Sequence, residues 1–475
     1  MFAALTNRYA STARSGDSPL STPLGPRNIP AAMEEGRRAP PQDARVDRIG
    51  GIFMALPGAR NAPQDHLPEL TSLRFIAAFA VLVLHYRDLF GPLPEGLLRA
   101  IVGGQYGVTF FFVLSGFILT YRYHDWFDGG VLDGRFWRFQ RLRFARIYPV
   151  YLLGLLLDTP WHLIERAQAG QLAEVGQTWW ASWLLNLVGL QAWVPAVPFA
   201  MFWNTPAWSV AAEFFFYATF PFLCAGLLRL RLRLRGLALL LTASVALGVG
   251  MYAAVIWWMN VVLHAEAQTQ YIVMVYNPLL RYSEFLGGCL TGLAFLQLRA
   301  GTWPRAVWLT GTDVRARRVR DAIVLLALLA AGVRIGLPDY TGPSMERWVF
   351  DVAVKYGVFI VPFSALILAV ASGRTFLSPL LQRPWLVLLG EASYALYIIH
   401  WSVTTFLRLG WLGEAGTPAV HGLFLLGTVA ASVLCYRFIE VPWRRRLRGT
   451  ADAGTLDTPA DAAAPLQPQP RPALP

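Results

Sequence analysis

The sequence predicts an all-α fold, a polytopic bundle of transmembrane helices. Three observations carry that expectation. The 475-residue chain is 55% hydrophobic and only 15% charged, far from the balance of a soluble domain. Ten stretches approach the apolar length needed to cross a bilayer. The arginines gather in alternate connections between those stretches, as the positive-inside rule requires. The net charge of +12 is therefore assigned to loops facing cytoplasmic anionic lipid, and not to a nucleic-acid partner.

Taken in order, residues 1–66 are rich in Pro, Ala, Arg and Ser, show no apolar h-region, and are expected to be a disordered tail. The spans follow at Leu70–Phe90, Tyr106–Tyr121, Ile147–Ile164, Pro206–Leu228, Gly236–Leu263, Tyr276–Leu298, Asp321–Leu337, Trp348–Ser372, Pro384–Leu407 and His421–Trp443. Together they make residues 67–448 one membrane domain, and the polar stretch 449–475 a second tail. An eleventh stretch, Trp179–Val197, is interrupted by Asn186, Gly189 and Gln191. A crossing there would put the later arginine clusters, such as Arg229, Arg231, Arg233 and Arg235, on the outer side. It is expected to be re-entrant or interfacial, leaving ten spans with both termini cytoplasmic. Cys224, Cys289 and Cys435 lie in apolar runs without metal-ligand or paired spacing and read as small buried hydrophobes.

A charge near the bilayer centre costs about 2.5–3.5 kcal/mol on insertion scales, so each one is a site candidate. The first span carries Arg74 and His85, eleven residues apart and so on one helix face. Arg74 reads either as snorkelling to the inner headgroups or as a ligand group, and His85 either as a satisfied interfacial side chain or as a reactive one. Glu213 sits one turn from Ser209 in an otherwise aromatic helix. Arg281 and Glu284, at i, i+3, form a pair that is local and structural or else lines a site. Ser393, Tyr397 and His400 make one polar stripe, for interhelical hydrogen bonds or for a ligand. Ser115 and Gly116 suit close helix approach. Arg143 and Arg146 lie at i, i+3 before Pro149, where they serve as a membrane anchor or as a fork for phosphate oxygens. His85, Glu213, Arg281, Glu284 and His400 all fall in the outer half of the expected topology, and a single shared cavity would explain them together.

In sequence order these segments resemble the membrane-bound acyltransferase type 3 family. The resemblance runs from Leu67 to Arg448 and rests on seven features. They are Arg74 with His85; the Gly107 to Phe117 segment with Ser115-Gly116; Phe139 with Arg143, Arg146, Pro149 and Tyr151; Trp208-Ser209-Val210 before Glu213; Arg281 with Glu284 and Gly288; Ser393-Tyr394 with Tyr397 and His400; and Glu440 with Pro442. Two departures stand out. Members often have Val-Asp where this chain has Val108-Thr109, and many carry a C-terminal esterase-like domain that is absent here, so transfer is expected to be completed within the membrane domain.

The resemblance implies a multi-pass enzyme of the inner (cytoplasmic) membrane that moves an acyl group, expected to be acetyl, from acyl-CoA to a hydroxyl of a glycan, glycolipid or small metabolite. Acyl-CoA would be a co-substrate, and no tightly bound cofactor or metal is implied. Arg143, Arg146 and Arg74 would hold the CoA phosphates, with Ser115, Arg281, Glu284, Tyr397 and His400 placed around the substrates. His85 would take the acceptor proton, which suits a side chain titrating near neutral pH. Glu213 would orient or charge-stabilise that imidazole. An acyl-histidine intermediate is the variant mechanism. A transporter or flippase would also bury charges between helices, but it would favour internally repeated halves, and none is evident.

Overall fold

In the computed structural model, the described residues are 67–448 apart from 88–89, 132–133, 172–175, 304–306, 338–356 and 409–417. Residues 1–66 and 449–475, expected as tails, lie outside them. The described residues contain no strand. The helices of eight residues or more are α1 (Pro68–Tyr86), α2 (Glu95–Val102), α3 (Tyr106–Phe127), α4 (Arg135–Gln168), α5 (Gly176–Leu187), α6 (Trp208–Arg229), α7 (Leu234–Val261), α8 (Ala267–Tyr276), α9 (Tyr282–Arg299), α10 (Val314–Gly336), α11 (Ile360–Ala371), α12 (Pro384–Glu391), α13 (Ser393–Arg408), α14 (Pro418–Cys435) and α15 (Val441–Arg448).

Length and apolarity alone qualify five of the described helices as spans, or six when the bent pair α12 and α13 is joined. That is fewer than the ten expected. The shortfall has local causes: α10 opens on a run of arginines, α9 has Glu284 in its first turn and Arg299 in its last, α4 holds Asp158 and His162 within its apolar half, and α11 is only twelve residues long. The lipid-facing surface is visible as strongly exposed leucines, with Leu239 and Leu247 of α7 each 72% exposed and Leu423 and Leu426 of α14 69% and 71%. A soluble protein would bury such side chains; in a bilayer their exposure costs nothing.

Small residues bring the central helices together. A Cβ on Gly288 of α9 would lie 1.9 Å from the Val113 carbonyl oxygen of α3, and one on Gly116 would lie 2.2 Å from the Phe285 carbonyl. Gly292, one turn beyond Gly288, continues the seam against Thr120. Gly104 and Gly107 seat the start of α3 on Ala80 and Ala77 of α1 in the same way, and Gly390 seats α12 on Thr71.

Three elements depart from the sequence expectation. The arginine-rich segment expected as a loop before Pro149 is helical: α4 starts at Arg135 after Gly134, whose φ of 84° suits only glycine, and continues through Pro149 and Pro160. The ninth expected span is broken at Ala392, with a bend of 62° between its halves. A π-turn occupies Tyr436–Glu440 just before Pro442, whose missing N–H removes one ordinary helix bond there. The interrupted stretch near Trp179 folds as α5, twelve residues ending before Gly189 (φ 71°), too short to span a bilayer. Polar ties hold it to α4: Tyr148 donates to the Leu187 carbonyl (3.1 Å) and the Trp183 indole donates to Thr159 (3.0 Å).

Candidate active site

Five helices, α1, α3, α4, α6 and α13, enclose a cavity of about 120 Å³. Its wall carries Arg74, Ser115, Arg143, Arg146, Ser209, Glu213, Tyr217, Tyr394 and Tyr397. Six of the ten expected site residues, Arg74, Ser115, Arg143, Arg146, Glu213 and Tyr397, therefore meet in one space.

The electrostatics of this cavity are dominated by guanidinium groups. Arg143 donates to the Tyr123 hydroxyl (2.7 Å) and lies over the Tyr123 and Phe139 rings. The charges bearing on Arg74 are Arg146, Glu391, Glu440 and Glu213; those bearing on Arg146 include Glu440 and Glu391. Among the described residues neither Arg74 nor Arg146 makes a hydrogen bond or a contact ion pair. Both are half-buried on the cavity wall, with the carboxylates of Glu213, Glu391 and Glu440 offsetting part of their charge. Glu213 accepts from the Tyr217 hydroxyl (2.8 Å), one turn along α6.

At the other end of the cavity, Ser209 donates to the Tyr397 hydroxyl (2.8 Å) and Tyr397 donates to the Pro206 carbonyl (3.0 Å). The Tyr397 ring is 5.9 Å from the His400 ring. His400, fully buried on α13, in turn lies against His85 of α1, with Nε2 of His400 and Nδ1 of His85 3.0 Å apart. His85 thus points from α1 toward α13 and does not line the cavity itself. Arg74 and His85 share a face of α1 and are separated by a rise of about 16 Å.

The single chamber expected for the outer-leaflet groups is instead three groupings. His85 and His400 form one, and Glu213 joins the arginines in the second. In the third, Arg281 Nε lies 3.0 Å from Glu284 Oε2, with both side chains buried. Thr109 bridges that pair, accepting from Arg281 (3.1 Å) and donating to Glu284 (3.0 Å). Glu213 is accordingly not placed to orient His85, since its hydrogen-bond partner is Tyr217. Ser209, one turn earlier on the same face of α6, is the residue that meets Tyr397 of α13, and Glu213 lies one turn further along the helix.

Sequence reasoning missed several members of the site. Tyr217 was readable at i+4 from Glu213, and Thr109 as the polar residue opposite the Arg281–Glu284 pair. Glu391 lies next to the break at Ala392, and Glu440, named in the sequence only as a signature residue and not as a site member, closes the π-turn; simple helical spacing announces neither position beside the arginines. Asp158 and His162, one turn apart on α4 and 2.9 Å from each other, form a further buried pair that had not been singled out.

A family model described as an acyltransferase domain matches residues 67–437. The chain is 30% identical over 431 residues to the acyltransferase MdmB of Streptomyces mycarofaciens, covering 84% of this chain and 97% of that protein. It is 23% identical over 402 residues to the O-acetyltransferase OatA of Staphylococcus aureus, covering 80% of this chain but only 58% of that protein. No solved structure matches.

Proposed function

Because the chain belongs to the acyltransferase type 3 family and is therefore an enzyme of acyl transfer, we propose that it carries an acyl group, acetyl in the first instance, from acyl-CoA to a hydroxyl of a glycan, glycolipid or small metabolite. The membrane is the cytoplasmic membrane, with ten spans and both termini on the cytoplasmic side. The observation that carries the reading is the pair Arg74 and Arg146, half-buried on the wall of a cavity whose far end adjoins the histidines.

In this reading the CoA phosphates bind at the arginine end through charge-assisted hydrogen bonds. The thioester arm lies along the cavity, past Ser115 and Tyr397. The imidazole of His85 takes the proton from the acceptor hydroxyl as its oxygen attacks the thioester carbonyl carbon. Collapse of the tetrahedral adduct breaks the C–S bond, and the imidazolium returns the proton to the sulfur, giving ester and free CoA thiol. Glu213 balances the arginine charge and does not act on the imidazole.

Purified protein in nanodiscs, given acetyl-CoA and lipid or glycan extract from the host, should release thiol in step with acceptor acylation. His85→Ala should abolish both while inserting normally. Wild-type turnover by this variant would end the proposal for His85. Acceptor acylation that needs a different thioester, or an acyl phosphate with release of phosphate in place of thiol, would reassign the donor.

A further inference from the structure

We infer that His400 is a positioning residue that fixes the tautomer of His85, making Nε2 of His85 the nitrogen that takes the acceptor proton. The inference rests on the reading of His85 as the base and goes beyond it by naming the atom and the group that prepares it.

The argument follows hydrogen-bond polarity along a chain of three groups. Nδ1 of His400 is 3.2 Å from the Leu396 carbonyl oxygen. A carbonyl only accepts, so Nδ1 of His400 carries the proton. A neutral imidazole then has its lone pair on Nε2. That nitrogen lies 3.0 Å from Nδ1 of His85, which must be the donor. The lone pair of neutral His85 is thereby left on Nε2, the atom directed away from His400. One backbone carbonyl thus sets the tautomers of both rings, as outer partners commonly set the protonated nitrogen of a working histidine.

Packing holds this arrangement. The two imidazoles meet edge to edge, with centroids 5.1 Å apart and planes 27° from parallel, as an in-plane N–H···N bond requires. Trp401 stands edge-on to His85, with centroids 5.2 Å apart and planes at 88°. His400 is 0% exposed, so no solvent competes for its Nε2. Its own helix turn is braced by Thr404, which donates to the His400 carbonyl (2.8 Å). In this site a neutral imidazole fills the orienting place that a carboxylate takes in the Ser-His-Asp arrangement. This choice avoids a second buried carboxylate with no cation to offset it.

The test compares two substitutions in full-length protein in nanodiscs. In His400→Gln the side-chain carbonyl can still accept from Nδ1 of His85; in His400→Leu nothing can. The leucine variant should lose kcat by about a hundredfold or more, the order contributed by a positioned base, with its KM for acyl-CoA unchanged. The glutamine variant should recover to within about tenfold of wild type. Nitrogen-15 NMR of histidine-labelled wild-type protein should show His85 protonated on Nδ1 and bare on Nε2, and this readout needs no variant to fold. Wild-type kcat in His400→Leu, equal loss in both variants, or a proton on Nε2 of neutral wild-type His85 would each overturn the inference. Loss in His85→Ala without loss in His400→Leu would do so while leaving the base assignment standing.

Discussion

Replacing Arg146 by glutamine isolates the role given to the cavity arginines. Arg146 reaches the cavity from α4 without a hydrogen bond to any described residue, so its donors are free for a ligand and the substitution breaks no contact pair. A hydrogen bond to a charged group is worth about 1.5–3 kcal/mol. Loss of one such bond to a phosphate therefore corresponds to roughly 10- to 150-fold weaker donor binding. In the proposed reading the group contacts the CoA phosphates and not the reacting carbon, so the loss should appear in KM for acyl-CoA with kcat nearly intact. The assay is steady-state thiol release in nanodiscs with two donors, acetyl-CoA and acetyl-pantetheine, the latter lacking the nucleotide phosphates. The variant should be impaired on the first and match wild type on the second. Equal impairment on both donors, or none on either, would refute a phosphate-binding role.

Two further outcomes follow from the packing. Gly288→Ala should lower the thermal midpoint of the purified protein sharply. Its methyl would start 1.9 Å from the Val113 carbonyl and must move to at least 3.0 Å, at a cost of roughly 3 kcal/mol, the upper end of overpacking; an unchanged midpoint would mean that α3 and α9 are not so closely apposed. Thr109→Val should cost about 1–3 kcal/mol of stability by removing the bridge between Arg281 and Glu284. It should leave the donor KM unaltered, because that network does not line the cavity, and a shift in KM would argue against the separation of the two groups.

Much of this arrangement was legible in the residues. The spacing of Arg74 and His85 put both on one face of α1, and the polar stripe of Ser393, Tyr397 and His400 marked the face of α13 that meets α1 and the cavity. Lateral placement was not legible. Hydropathy and charge locate a residue along a span but say nothing of which neighbour its helix face meets. Glu213 was thus expected beside His85 and is found beside Arg143, Arg146 and Tyr217. The dense arginines before Pro149 looked like a loop, yet a single proline removes only one backbone bond, and α4 runs through it. The break at Ala392 was invisible for a related reason: Gly390 is required there by the close approach of the Thr71 backbone, a contact between segments more than three hundred residues apart in the chain.

The most direct test of the account is a structure of the protein in nanodiscs with a non-hydrolysable thioether analogue of acetyl-CoA. The account predicts the analogue's phosphates at Arg74 and Arg146 and its acyl end beyond Tyr397, within reach of Nε2 of His85. An analogue bound elsewhere, with the arginine cavity left as it is and His85 more than one residue's length from the acyl carbon, would contradict it.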